Sequence, residues 1–252
     1  MLSLTLQYPT KATMNRILYQ LSNHTVEFPD PTLALEDPDG LLAIGGDLSA
    51  TRLINAYQHG VFPWFNDDDP IMWWSPSQRA IIELEEFHVS RSLKKSLNKH
   101  PFKVFINRDF AEVMYQCQRQ RIHHEGTWIS DEMLDAYTTL HKMGHAHSIE
   151  IWLNDQLVGG LYGIMLGAVF CGESMFHTMP NTSKLASWAL VNWLKRNQGA
   201  FIDCQVLNPH TASLGAKAIS RDEYLSRLST QMTHIDLKRM WQSQELINIY
   251  EY

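Results

Sequence analysis

The run FIDCQV, residues 201–206, carries a carboxylate and a carboxamide two positions apart. Side chains of a strand alternate with a period of two, so Asp203 and Gln205 are predicted on one face and Ile202, Cys204 and Val206 on the other. Under covering helices such a carboxylate loses solvent, its pKa rises, and it becomes a usable base near neutrality. A second acid follows a glycine in AVFCGESMF, where Gly172 admits a close neighbour beside Glu173. Glu173 next to Asp203 would make an anionic pocket, suited to an α-ammonium or a basic side chain and hostile to phosphates. On spacing alone, a half-exposed strand and a surface acid near a strand end are the simpler account.

Other reactive types read as scaffolding. His141 and His145 have the i, i+4 spacing of a helical metal pair, with His147, His123 and His124 nearby, but Gly144 ends the helix before the second histidine. No metal is expected. Cys117, Cys171 and Cys204 form no C-x-x-C pair, and strand parity turns Cys204 away from Asp203, so none has a nucleophile's surroundings. Aromatic residues crowd FPWF (Phe62, Trp64, Phe65), IMWWS (Trp73, Trp74) and GTWI (Trp128). Among prolines and turns, some of these line a groove for stacking while others are core.

Elements must position these groups. Closely spaced turn formers between 28 and 80 predict a compact, mostly irregular region with one helix. Asp47 or Ser49 caps that helix, Leu53, Ile54, Ala56 and Tyr57 form its apolar side, and Gly60 stops it. A basic helix at 90–98, a strand in FKVFIN and a helix at about 109–120 follow, with a domain boundary near there. Met133, Leu134, Tyr137, Leu140 and Met143 recur at helical spacing, with Ser130 or Asp131 as cap and Gly144 as stop. Three strand-like runs at 147–153, 157–165 and 168–176 predict an antiparallel meander. An apolar helix at 184–195, the strand FIDCQV, a short helix and a last strand complete an α+β order.

Of 252 residues, 44% are hydrophobic, which supplies a real core and excludes disorder as the dominant state. Three cysteines without pairing signals read as reduced thiols in a cytoplasmic protein. The longest apolar stretch, 157–171, is broken by Gly159, Gly160, Gly163 and Gly167 and is too short for a membrane span. Residues 1–13 lack the basic start and apolar core of a signal peptide and read as a disordered extension before an alternative start at Met14. The net charge of −6 argues against a protein that coats nucleic acid, but the charge is segregated. Eight acids and one base, Arg52, lie between Asp30 and Asp69, whereas 90–108 holds Arg91, Lys94, Lys95, Lys99, Lys103 and Arg108 and no acid. That stretch is either a phosphate-attracting surface or a solvated helix face.

Long, unusual motifs then set a resemblance: GLLAIGGDLS at 40–49, GVFPWF at 60–65, WWSPSQRA at 73–80, HVSRSLKKS at 88–96, GTWI at 126–129, GHAHSIEIW at 144–152, LVGGLYG at 157–163, GESMF at 172–176 and IDCQVLNPHTASLGA at 202–216. Over roughly residues 28–224 the chain resembles the leucyl/phenylalanyl-tRNA-protein transferases. The resemblance implies a small N-terminal α/β domain (28–108, after a leading segment 1–27) and a C-terminal acyltransferase (GNAT-like) domain (109–230) with a mixed, largely antiparallel sheet, followed by a tail (231–252). It implies transfer of leucine or phenylalanine, less well methionine, from aminoacyl-tRNA to proteins with N-terminal Arg or Lys, marking them for N-degron-dependent degradation, by a monomer that uses no cofactor and no membrane.

By the same resemblance Asp203, Gln205 and Glu173 are the catalytic candidates. Leu161, Phe170, Met175, Leu190, Leu194 and Ile202 form the aminoacyl pocket, Leu190 and Leu194 standing where the family can carry phenylalanine. Trp64 and Trp128 face the 3′ adenosine, and Arg91, Lys94 and Lys95 hold the tRNA backbone. Between Met175 and Lys184 the run FHTMPNTS has no glycine, unlike the turn a coenzyme A site needs. A coenzyme A-dependent acetyltransferase and a noncatalytic RNA- or peptide-binding module are the competing readings, since fold is weak evidence for function.

Overall fold

A computed structural model of the chain describes residues 17–66, 68–122, 129–232 and 237–251. The elements are β1 (Tyr19–Leu21), β2 (Leu41–Gly45), α1 (Ala50–Gln58), β3 (Phe62–Pro63), β4 (Met72–Trp74), β5 (Gln78–Glu83), α2 (Arg91–Leu97), β6 (Lys103–Ile106), α3 (Phe110–Ile122), α4 (Asp131–Lys142), β7 (Ala146–Leu153), β8 (Gln156–Leu166), β9 (Val169–His177), α5 (Thr182–Arg196), β10 (Phe201–Gln205), α6 (Pro209–Ser213), β11 (Lys217–Ser220), α7 (Arg221–Gln231), α8 (Leu237–Met240) and β12 (Gln244–Glu245). Serine caps start four of the helices: the hydroxyls of Ser49, Ser90, Ser130 and Ser220 accept backbone N–H groups of the first turn.

Two sheets result. The smaller has the order β1-β2-β4-β3, and the larger β11-β5-β10-β9-β8-β7-β6-β12. The predicted meander is β7-β8-β9, and the class is the α+β, mixed and largely antiparallel one expected. Among the paired strands of the larger sheet β9 and β10 alone run parallel, which is why the long helix α5 must cross between them. Gly159 lets α5 sit close: a Cβ there would lie 2.3 Å from the Thr182 hydroxyl.

Alternation divides the core. Ile81, Tyr162, Cys171 and Phe201 face one apolar cluster with α1, α3 and α4, while their neighbours Ile82, Leu161, Phe170 and Ile202 face the other with α2, α5 and the C-terminal segment. Both faces of the sheet are therefore buried, and its central strands read as nearly continuous apolar runs.

Three expectations change. The turn-rich region is less irregular than predicted: strands of two to six residues lie between its glycines and prolines, too short for a periodic signal. The division between sheets falls between Trp74 and Gln78, ahead of 108, because β5 is buried along Arg79–Ile82 and belongs inside the large sheet with β6. The segment expected as a tail is packed: Trp241, Leu246 and Ile249 are buried, and β12 pairs with β6.

Candidate active site

The parallel pair β9–β10 is in register at Phe201↔Val169, Ile202↔Phe170 and Asp203↔Cys171, and then opens. Each strand bulges there. The register of β8 with β9 shifts between Gly172 and Ser174, leaving Glu173 as the extra residue, and that of β10 with β5 shifts between Asp203 and Gln205. A bulge re-aims side chains and ends pairing. Gln205 takes φ 62, in the left-handed region that non-glycine residues seldom occupy.

The parity prediction for FIDCQV fails at Gln205 for this reason, while Ile202, Cys204 and Val206 share a wall as predicted. Ile202, Cys204 and Gln205 all line a cavity of ≈ 380 Å³, within the range of small-molecule sites, whereas Asp203 is fully buried behind it. Asp203 is held by a bidentate pair with Arg79, Nε to Oδ1 at 2.8 Å and Nη2 to Oδ2 at 2.6 Å. Its oxygens also accept the Tyr224 hydroxyl and the Gln205 backbone N–H, each at 2.8 Å.

Glu173 faces the cavity and is bonded differently. Gln205 Nε2 donates to its Oε1 at 2.8 Å, Tyr57 donates to the same oxygen at 2.7 Å, and Tyr137 donates to Oε2 at 3.2 Å. The two tyrosine hydroxyls also lie within hydrogen-bond distance of each other, so with one hydrogen on each phenol their donors are shared among Glu173 and the partner hydroxyl. Burial pushes the Glu173 carboxyl up, the phenol hydrogen bonds pull it part of the way back, the nearby Asp203 adds to the rise, and the result is about 7. Burial, then the neighbouring carboxyl, keeps both phenols well above their usual range, so they remain donors. Burial likewise raises the Cys171 and Cys204 thiols, which therefore stay protonated.

Leu161, Phe170, Met175, Leu190 and Ile202 line the cavity as expected, with Phe62 and Trp64 on another wall. Leu194 does not: it is fully buried and packs against Gly199 in the core. Trp64 is 50% exposed and tilts against Trp74, whose indole N–H holds the Trp64 carbonyl at 2.7 Å. Trp128 lies outside the described residues. Arg91, Lys94 and Lys95 are exposed on α2, which anchors to the core through Leu93. At the cavity's edge His210 on α6 has Nε2 3.0 Å from the Met175 sulfur. His141, the candidate ligand, instead bonds the Ala146 carbonyl and stacks on Phe110.

Sequence reasoning missed Arg79, Tyr57, Tyr137 and Tyr224. Tyr57 and Tyr137 stood at helical core spacing, and their only signal was a hydroxyl that a buried phenol must satisfy. Arg79 was a lone base ahead of the apolar run AII, and a base placed there needs a buried acid.

The family model for the leucyl/phenylalanyl-tRNA protein transferases matches residues 81–229, and the model for the N-terminal domain of that transferase matches 46–77, so the two meet where the sheets divide. The leucyl/phenylalanyl-tRNA–protein transferase of Pseudoalteromonas translucida is 57% identical over 94% of this chain and 100% of its own length. The transferase of the same name from Pectobacterium carotovorum is 53% identical over 84% of this chain and 90% of its own. Among solved structures, L-PGS from Bacillus licheniformis overlays with a TM-score of 0.38 at 11% identity, over 66% of this chain and 53% of that one. On the motifs, the extent of the match and the identity, the chain belongs to the leucyl/phenylalanyl-tRNA–protein transferase family, a family of aminoacyltransferases.

Proposed function

We propose that the chain transfers leucine or phenylalanine, and methionine less well, from aminoacyl-tRNA to the α-amino group of proteins that begin with Arg or Lys, marking them for degradation. The observation that carries this reading is an apolar cavity beside a carboxyl poised at about 7. Leu161, Phe170, Leu190 and Ile202 suit an unbranched-Cβ side chain of the donor, and Glu173 on the same cavity supports a base for the acceptor amine.

The chemistry needs orientation and one proton acceptor, since an aminoacyl ester is already activated. The acceptor's α-ammonium gives its proton to the Glu173 carboxylate. The free amine attacks the ester carbonyl carbon, a C–N bond forms and the C–O bond to the ribose breaks; Glu173 gives its proton to the leaving ribose oxygen, then takes the second proton from the new amide nitrogen and releases it to solvent, which restores the carboxylate. Tyr57, Tyr137 and the Gln205 carboxamide hold Glu173 in place. Asp203, closed off by Arg79, is not the base in this reading. Trp64 and Trp128 stack on the 3′ adenosine, and Arg91, Lys94 and Lys95 meet the acceptor-stem phosphates. The reaction uses no cofactor or metal, and a cytoplasmic monomer suffices. The test is transfer of labelled phenylalanine from charged tRNA to Arg-initiated and Ala-initiated peptides. Transfer to the first alone supports the proposal, and transfer to neither, or to both equally, contradicts it.

A further inference from the structure

Arg79 has no part in the chemistry above, yet it is 1% exposed and uses nearly every direction its guanidinium offers. Nε and Nη2 take Asp203, Nη1 donates to the Gly60 carbonyl at 3.2 Å, and the plane lies 4.7 Å from the Phe62 ring centroid and 4.5 Å from that of Tyr224. We propose that Arg79 is the positioning residue of this site: through Asp203 it fixes the backbone of Gln205, and through Gly60 it ties the Phe62–Trp64 wall to the same carboxylate. The consequence for catalysis rests on the aminoacyl-transfer reading, whereas the positioning itself is read from the geometry.

Left-handed backbone at a non-glycine residue is strained and persists only where the surroundings hold it. At Gln205 the hold combines the turn bond from the Val206 N–H to the Cys204 carbonyl at 2.7 Å, the pairing with Ala80, and the bond from its own N–H to Asp203 Oδ1 at 2.8 Å, which is the link that runs to Arg79. That oxygen is kept in place by Arg79 Nε, also at 2.8 Å. The amide so fixed carries the side chain whose Nε2 donates to Glu173. Holding the guanidinium from the other side is Gly60, at φ +72, where an added Cβ would lie 2.5 Å from the Leu225 side chain. Two residues on, Phe62 begins the aromatic wall of the cavity. One planar fork thus sets the distance between two walls, which a lysine, with a point charge on a flexible stem, would not do.

A buried ion pair can often be replaced by neutral groups of similar size without loss of stability, which separates folding from positioning. Arg79→Met with Asp203→Asn leaves an oxygen for the Gln205 N–H and an amide hydrogen for the Tyr224 oxygen. Arg79→Met with Asp203→Leu removes that acceptor. With both doubles folded by thermal melting, the Asn double, which keeps the acceptor for Gln205 but loses the tie to Gly60, is expected to lose about tenfold in kcat. The Leu double is expected to lose about a hundredfold in kcat at nearly unchanged KM for charged tRNA. The Gln205 amide proton, followed by NMR, is expected downfield in the Asn double and upfield in the Leu double, which reads the geometry without turnover. Equal loss of kcat in both folded doubles, or one amide shift common to both, overturns the proposal. If either double does not fold, Arg79→Lys replaces the pair: a fall of about tenfold in kcat with a moved Gln205 amide supports the proposal, and no change in either overturns it. Amide shifts that follow expectation in a protein that transfers nothing from charged tRNA would leave the positioning intact and remove the aminoacyl-transfer reading.

Discussion

Two buried polar clusters lie in the same large sheet and differ in what closes them. At the opening of β9 and β10, Glu173 is held by Tyr57, Tyr137 and Gln205 beside a cavity. At the β6–β7 edge, His147 stacks on Trp241 with ring centroids 4.5 Å apart, Asn107 bonds both His147 and the Trp241 carbonyl, and Glu150 accepts from Ser148, Trp152 and the Asp109 N–H. Burial drives His147 down to about 3, a larger displacement than that of Glu173 to about 7. His147 nevertheless does not line the cavity, and the C-terminal segment covers it. A displaced pKa marks lost solvent; a site needs in addition a route for a substrate to the displaced group.

The contrast predicts opposite responses to substitution. Glu173→Gln keeps the shape and the Tyr57 contact, and is expected to lower transfer by about 10²–10⁴-fold with the fold retained, as for loss of a general base; melting and transfer measured on one preparation check it. Trp241→Ala is expected to do the reverse, costing about 3–5 kcal/mol of stability while kcat per folded molecule stays the same. Denaturant titration beside active-site titration separates the two. A large loss of kcat per folded Trp241→Ala molecule would erase the distinction between the regions.

Around the cavity, Leu190 and Leu194 sharpen the comparison. Leu190→Ala enlarges the cavity and is expected to shift the Phe-to-Leu donor ratio by about 10–200-fold. Leu194→Ala, one helical turn away and outside the cavity, is expected to lower stability by about 2–5 kcal/mol and leave the ratio unchanged. Competition between the two charged tRNAs gives the ratio.

The pH dependence of stability is the most gradual of these responses, at most about 1.4 kcal/mol per pH unit from each group. Glu173 is raised by folding, so its contribution is present in acid and is lost as pH climbs from about 4.5 to about 7. His147 is lowered, so its contribution is present above about 6.5 and is lost as pH falls toward about 3. His141 and His145, which face it, are lowered by burial in the same direction. The stability of the unsubstituted protein relative to Glu173→Gln is therefore expected to fall between pH 4.5 and 7, and relative to His147→Gln to rise from pH 3 to 6.5. Urea titrations across pH measure both.

Much of the scaffold was legible in the residues. Ser49, Ser90 and Ser130 cap helices where polar residues precede apolar periodicity, and the meander follows from alternation between Asn154-Asp155 and Leu166-Gly167. Five of the six expected cavity-wall residues line it. The site's polar logic was less legible, because alternation holds only while a strand stays regular. The bulge after Asp203 turns Gln205 toward Glu173 and leaves Asp203 with Arg79, a partner 124 residues away that no local pattern reveals. Leu190 and Leu194 are chemically the same on one helix, and only the packing around Gly199 separates core from cavity.

The central claim is that Glu173 takes the proton. Single-turnover transfer from Phe-tRNA to an Arg-initiated peptide, measured across pH, is expected to show a limb rising through about 7 in addition to that of the acceptor amine near 7.7–8.0. In Glu173→Gln the lower limb disappears and the amine limb remains. An unchanged profile in that variant, with its loss appearing in Asp203→Asn instead, would place the base at Asp203 and contradict the account.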